Sequence, residues 1–247
     1  MTDKKLRNDH SITYRSNRFI HATHRQRLKE CKAFLLTHLQ ETEKYGTVFD
    51  LGGASGFLAD ELNRCQVTYF SEQIIFDLEH PKNNTNKKWY EPKLNPIYVT
   101  TDLNQEICFE SYKKPNLIII SETLEHVAEP IETLNAVYKA SDGNTPPCYI
   151  SFPRETGTVG FAKFLLRILT GRNIKKGLQY NFQYLTWILL RKRYQLRDKR
   201  AFYADHDGFD DQDLVDKINK NFKYYEIAIL YGASTVHILL KPNPLNF

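Results

Sequence analysis

At 247 residues the chain is long enough for a full hydrophobic core and reads as one α/β domain, 1–247, with an insertion. Its four cysteines, Cys31, Cys65, Cys108 and Cys148, stand far apart with no Cys-x-x-Cys pair, which argues against a zinc site or a disulfide scaffold and fits a reducing compartment. The net charge of +5 is uneven: residues 161–200 carry eleven Lys/Arg and one acid, residues 1–30 eight and three, and the rest fifteen and twenty-five.

The start, Met1-Thr2-Asp3-Lys4-Lys5, is polar and does not read as an export signal. Residues 23–39 predict a helix with Leu28, Cys31, Phe34, Leu35 and Leu39 on its apolar face. Tyr14, Arg15 and Arg18 before it read as surface residues or as side chains that help close a pocket. Thr47-Val48-Phe49-Asp50-Leu51-Gly52-Gly53-Ala54-Ser55-Gly56-Phe57 then predicts a buried strand that stops at an acid and runs into a glycine turn. Leu58-Ala59-Asp60-Glu61-Leu62 suits the helix after it. Strand, glycine turn and helix together let backbone N–H groups approach a nucleotide-like ligand at the helix N-terminus. Glycines remove Cβ atoms that would block the ligand and allow the turn's unusual backbone angles.

Ile74-Ile75-Phe76-Asp77 predicts a second strand ending in an acid, with Glu72 as a second acid nearby. Residues 83–88 read as an exposed loop, and residues 97–104 as a third strand that carries Asp102 and Leu103. Leu117-Ile118-Ile119-Ile120-Ser121-Glu122 is the β-branched run of a strand buried on both faces. Residues 131–140 have helical spacing and stop before Gly143, and Cys148-Tyr149-Ile150-Ser151-Phe152-Pro153 predicts a fifth strand. Near the carboxy terminus, Asp210 is expected to cap a helix with Asp213 at its third position. Two apolar runs around Gly232-Ala233 predict a hairpin.

Between the fifth strand and that helix lies a basic segment. Val159, Phe161, Phe164, Leu165 and Ile168 fall at helical spacing with Lys163 and Arg167 on other faces, and the apolar stretch 184–190 ends at Arg191-Lys192-Arg193. The segment fits two amphipathic helices over a substrate cleft with solvated charges. It also fits a membrane-surface element, or a nucleic-acid face in which Tyr180, Phe182 and Tyr184 interleave with the basic residues. A basic cleft would equally suit an anionic small substrate.

The glycine turn resembles motif I of class I S-adenosylmethionine-dependent methyltransferases, acid-x-Gly-x-Gly-x-Gly, with Ala54 in place of the middle glycine. Ser121-Glu122-Thr123-Leu124-Glu125-His126-Val127 is similar to the end of the fourth strand in the small-molecule and glycan members, where Glu-His-Val precedes a helix. The resemblance spans roughly residues 45–155 and 203–242. It implies a Rossmann-like, doubly wound, seven-stranded and mostly parallel sheet, with a C-terminal antiparallel pair and a helical insertion. It divides the chain into an N-terminal helical cover (1–44), a cofactor-binding core (45–155), a basic helical lid (156–202) and a C-terminal helix with a strand pair (203–247). The implied cofactor is S-adenosyl-L-methionine. The residues expected to bind it are Asp50, Gly52, Gly53, Ala54, Gly56, Asp77, Asp102, Leu103, Ser121 and Glu122. Of these, Asp77 is preferred to Glu72 for the ribose hydroxyls and Asp102 lies where the family places an acid near the adenine amino group.

Methyl transfer is an in-line displacement, so positioning supplies much of the acceleration, and an alcohol acceptor also needs a base. His126 is the first candidate and His206, flanked by Asp205 and Asp207, the second. No metal-ligand cluster is evident, and the Asn/Asp-Pro-Pro-aromatic motif of base N-methyltransferases is missing from the fourth strand. The resulting expectation is O-methylation of a small or glycan- or lipid-linked metabolite. An RNA-directed enzyme and a non-catalytic methyltransferase-like module are the alternatives. No stretch approaches the ~20 apolar residues of a membrane span, so a cytoplasmic protein is expected, with peripheral contact at a membrane's inner face as an option.

Overall fold

The computed structural model describes residue 14 and residues 21–39, 46–67, 70–78, 90–105, 109, 112–140, 146–171, 177–190 and 209–242. Arg15, Arg18, the loop 83–88, Cys108, Arg191 to Arg193 and His206 with Asp205 and Asp207 lie outside the described residues.

Seven strands form one sheet: β1 Thr47–Leu51, β2 Glu72–Asp77, β3 Ile97–Thr100, β4 Leu117–Ser121, β5 Cys148–Pro153, β6 Tyr225–Tyr231 and β7 Thr235–Pro242. Their order is β3-β2-β1-β4-β5-β7-β6. The first five are parallel, and β7 runs antiparallel to both β5 and β6. The chain moves outward from β1 to β3 and then returns to place β4 on the other side of β1. That reversal opens a crevice beyond the carboxyl ends of β1 and β4, the place where doubly wound sheets bind ligands.

The sequence makes both faces of this sheet apolar. On β1 and β4 the side chains alternate: Phe49, Leu51, Ile118 and Ile120 join one core, while Val48, Leu117 and Ile119 join the other. The first core is covered by α3 (Pro130–Ala140) through Leu134 and Val137, and by α6 (Asp211–Asn221) through Leu214, Val215 and Ile218. The second is covered by α1 (Ala22–His38) through Cys31, Phe34 and Leu35, and by α2 (Phe57–Arg64) through Ala59 and Leu62. α1 has no side-chain cap at its start, so burial of this stripe holds it to the sheet.

The hairpin, the fifth strand and the capped helix stand where the sequence suggested. Asp210 accepts a hydrogen bond from the Asp213 N–H at 2.8 Å. Most other boundaries shift by a residue or two, and two matter for the site. β2 begins at Glu72 rather than Ile74, and β3 ends at Thr100, so Asp102 sits in the turn beyond it.

The insertion contains α4 (Gly157–Leu169) and α5 (Leu178–Leu190), which pack on each other through Phe164, Tyr184, Trp187 and Ile188. Lys163 and Arg167 are not solvated charges. Both reach the buried Glu155 carboxylate, at 3.0 and 3.3 Å. They turn inward because Glu155, 2% exposed just before α4, would otherwise be a buried charge without a counter-ion.

Candidate functional site

β1 delivers the chain into a tight turn at the crevice. Gly52 has φ +70°, Ala54 φ +49° and Gly56 φ +74°. The Gly52 N–H donates to the Phe76 carbonyl at 2.7 Å, and the Ala54 N–H to Asp77 Oδ2 at 2.9 Å. Asp77 Oδ1 accepts from the Leu78 N–H at 2.7 Å. The acid at the end of β2 therefore holds the turn of β1 in place. The turn is closely packed on both sides. A Cβ on Gly52 would lie 2.3 Å from Thr123 Oγ1, and one on Gly53 2.3 Å from the Asp50 carboxyl carbon. Ala54 replaces a glycine where the backbone is left-handed, so the departure from the motif strains the backbone as well as adding a methyl group.

Asp50 lies beneath the turn, 2% exposed, and accepts a hydrogen bond from Gln73 Nε2 at 3.1 Å. Burial lifts its carboxyl to about 7. The Gln73 hydrogen bond pulls it down and the neighbouring Asp77 pushes it up.

Two small clefts flank the segment Ser121-Glu122-Thr123. The first is lined by Gly52, Asp77, Asp102, Leu103, Thr123 and His126 among others. The second is lined by Tyr14, Arg27, Ser121, Glu122, Tyr149 and His237 among others. Glu122 is a non-glycine residue at φ +53°. Its Oε2 pairs with Arg27 Nη1 of α1 at 2.5 Å, and its Oε1 is buried without a hydrogen-bond partner among the described residues. Arg27 Nε also donates to Ser234 Oγ at 3.2 Å. Behind the second cleft the fully buried His237 holds Tyr149 OH at 2.8 Å through Nδ1 and faces Glu30 at 3.5 Å through Nε2. Burial pushes the His237 imidazole down to about 4; Glu30 opposes that shift and Arg27 adds to it.

The fold thus brings Gly52, Asp77, Asp102, Leu103 and His126 to one cleft and Ser121 and Glu122 to the other. Gly53 and Ala54 form the turn, and Gly56 starts α2. Glu72 is at the opposite end of β2, facing Thr47 and Lys113, about 16 Å up the strand from Asp77. His126 is in the cleft of Asp77 and Asp102, not in that of Glu122. No residue of α4 or α5 lines either cleft.

Sequence reasoning missed Arg27, Thr123, Gln73 and Asn104. Arg27 carried a signal, since it stands one helical turn before Cys31 and so puts a charge on the buried stripe of α1. Asn104 orders the rim of the first cleft by accepting from the Ala128 N–H at 2.7 Å.

The sequence profile of a methyltransferase-domain family matches residues 22–147. Solved structures share the fold. The magnesium protoporphyrin IX methyltransferase of Synechocystis PCC 6803, determined with bound S-adenosylhomocysteine, is 14% identical with a TM-score of 0.51, over 93% of this chain and 91% of that one. An O-methyltransferase family protein from Burkholderia thailandensis is 10% identical with a TM-score of 0.52, over 96% of this chain and 63% of that one. The small RNA methyltransferase HEN1 is 15% identical with a TM-score of 0.51, over 87% of this chain and 25% of that one. No curated protein sequence matches the chain. The profile covers just over half of the 247 residues, and the chain belongs to the methyltransferase-domain family as a class I S-adenosylmethionine-dependent methyltransferase.

Proposed function

We propose that this enzyme methylates an oxygen atom of a small or glycan- or lipid-linked metabolite. The observation that carries this reading is the pair of clefts flanking Ser121-Glu122-Thr123, one at the glycine turn with two carboxylates, the other holding the Arg27–Glu122 pair. When bound, S-adenosyl-L-methionine supplies an electrophilic methyl group on a sulfonium.

The chain's residues fit that group. The turn at Gly52 and Gly53 has no room for side chains, and Gly56 stands at the N-terminus of α2 with no side-chain cap. Asp77 lines the first cleft, and a carboxylate there is the acceptor that ribose hydroxyls require. Asp102 and Leu103 would meet the adenine. His126 shares this cleft, and we therefore assign it to the cofactor wall rather than to proton transfer.

Glu122 is better suited to take a proton. Arg27 fixes Oε2, which leaves Oε1 to accept a hydrogen bond from an acceptor hydroxyl and to take its proton. Lys163 and Arg167, the basic residues described in the insertion, are engaged by Glu155 and so do not contribute to an RNA-facing surface. We read the chain as one domain in which the insertion follows β5.

Calorimetric titration with S-adenosylhomocysteine tests the cofactor site, and micromolar affinity is expected; a folded protein that binds none would overturn the site. Glu122→Gln is expected to keep that affinity and to abolish transfer to hydroxyl acceptors. Full turnover in Glu122→Gln would remove Glu122 as the base.

A further inference from the structure

Twelve large apolar side chains are exposed among the described residues, and seven of them lie on α4 and α5. Leu165, Leu166 and Leu169 form a stripe on α4 by their three- and four-residue spacings. Leu178, Phe182 and Leu189 share one face of α5 by spacings of four and seven. The most exposed flank the connection between the helices: Leu169 at 83%, Leu178 at 89% and Phe182 at 67%. Inner faces built from Phe164, Tyr184, Trp187 and Ile188 already hold the two helices together, so the outer stripes are not needed for that packing.

The sequence flanking these helices carries charge of one sign. Between Glu155 and Asp198 the sequence holds nine Lys/Arg and no acid. Lys163 and Arg167 turn inward to Glu155. The other seven stand in sequence at 172, 175, 176, 191, 192, 193 and 197, next to the exposed leucines at the ends of both helices.

Each candidate occupant can be weighed against this combination. A second copy of the same face would set like charge against like charge. A nucleic acid would use the charge, but six of the seven exposed apolar side chains are leucines and only Phe182 offers a base a ring to stack on. A bilayer bearing anionic lipids uses both features, because leucine and phenylalanine enter the acyl boundary while lysine and arginine meet the headgroups. Each helix has 13 residues, which suits lying in the interface and falls short of the ~20 needed to span it. Among the described residues no helix is long and apolar enough to cross a membrane. We propose that the outer faces of α4 and α5 dock this protein on a membrane surface that carries anionic lipids.

The inference goes beyond methyl transfer and does not depend on it, because cofactor binding and membrane binding are read by separate measurements. The test is co-sedimentation of the full chain with phosphatidylcholine vesicles, with and without phosphatidylserine. Binding is expected with phosphatidylserine and is expected to weaken as salt rises. The double variant Leu169→Glu/Leu178→Glu is expected to bind these vesicles at least about tenfold more weakly. Both side chains are solvent-facing, so the variant is expected to keep the parent's circular dichroism and its affinity for S-adenosylhomocysteine. No sedimentation with phosphatidylserine vesicles, or binding that the double variant leaves unchanged, would overturn the proposal. So would a dimer that the double variant dissolves while vesicles bind neither protein, which would assign the face to a second copy.

Discussion

A Cβ on Gly52 would stand 2.3 Å from Thr123 Oγ1 and 2.5 Å from its Cγ2, at a residue whose φ is already +70°. The first problem belongs to the neighbour and the second to the backbone, so they separate in a double variant. Gly52→Ala is expected to lower affinity for S-adenosylhomocysteine by about tenfold or more, or 1.4 kcal/mol. Adding Thr123→Ala removes both crowding atoms and should restore part of the loss. What remains belongs to the left-handed backbone, which no change at Thr123 relieves. Calorimetry on folded protein reads both steps, and parent-like affinity in Gly52→Ala would remove the turn from the cofactor site. At Ala54, with φ +49°, the same logic runs in reverse. Relief of strain exceeds the entropy that glycine adds to the unfolded chain, so Ala54→Gly is expected to raise stability by roughly 0.5 kcal/mol in urea titration. The places of Gly52 and Gly56 in the turn and of Asp77 at its strand end could be read from the sequence because their residue types carry the geometry or the charge by themselves. Thr123 and Gln73 could not, because threonine and glutamine take their roles only from what the fold sets against them.

At the scale of elements, period and punctuation made most of the fold legible. β5 begins and ends as its apolar run does, and α6 begins at its acidic cap. β3 ended early because Asp102 accepts from the Asn104 N–H at 3.0 Å, a local turn that competes with the ladder. The pairing of elements was less visible, and Asp211 shows why. It reads as one more acid in a first turn, where the helix dipole favours negative charge. In the fold its Oδ1 accepts from the Glu155 N–H at 3.1 Å, the Thr156 N–H at 2.9 Å and Thr156 Oγ1 at 2.7 Å, 1% exposed. It therefore fastens the corner between β5 and α4 to the start of α6. Asp211→Ala leaves three buried donors without their acceptor and is expected to cost about 3 kcal/mol. Asp210→Ala loses a cap and is expected to cost about 1 kcal/mol. Urea unfolding midpoints order the two variants, and an equal loss would show that Asp211 acts only as a second cap.

Across the whole molecule, the buried Asp50 and His237 set opposing responses to acid. Asp50 titrates near 7 in the fold against an ordinary value of 3.8, so in the fold it keeps a proton that the unfolded chain gives up. Its contribution is fully present below about 3.8 and is lost as pH rises to about 7. His237 titrates near 4 against 6.5, so the fold holds it neutral where the unfolded chain is charged. Its contribution is fully present above 6.5 and is lost as pH falls to about 4. Between about 4 and 6.5 the two slopes have opposite sign and cancel, because one site binds an extra proton in the fold and the other binds one fewer. Removing either group should expose the other. Asp50→Asn keeps an oxygen for Gln73 Nε2 and no longer has to bury a charge, so at pH 7 it is expected to be more stable than the parent, with the gain fading toward pH 4. It is then expected to lose stability steeply on acidification, as His237 protonates in the unfolded chain. His237→Gln should show the reverse slope and gain stability as pH falls through the same range. The parent should be the flattest of the three when urea midpoints are compared across pH. Parallel profiles for parent and Asp50→Asn would mean that Asp50 is charged in the fold at neutral pH, and that the glycine turn above it is held against a carboxylate rather than a neutral acid.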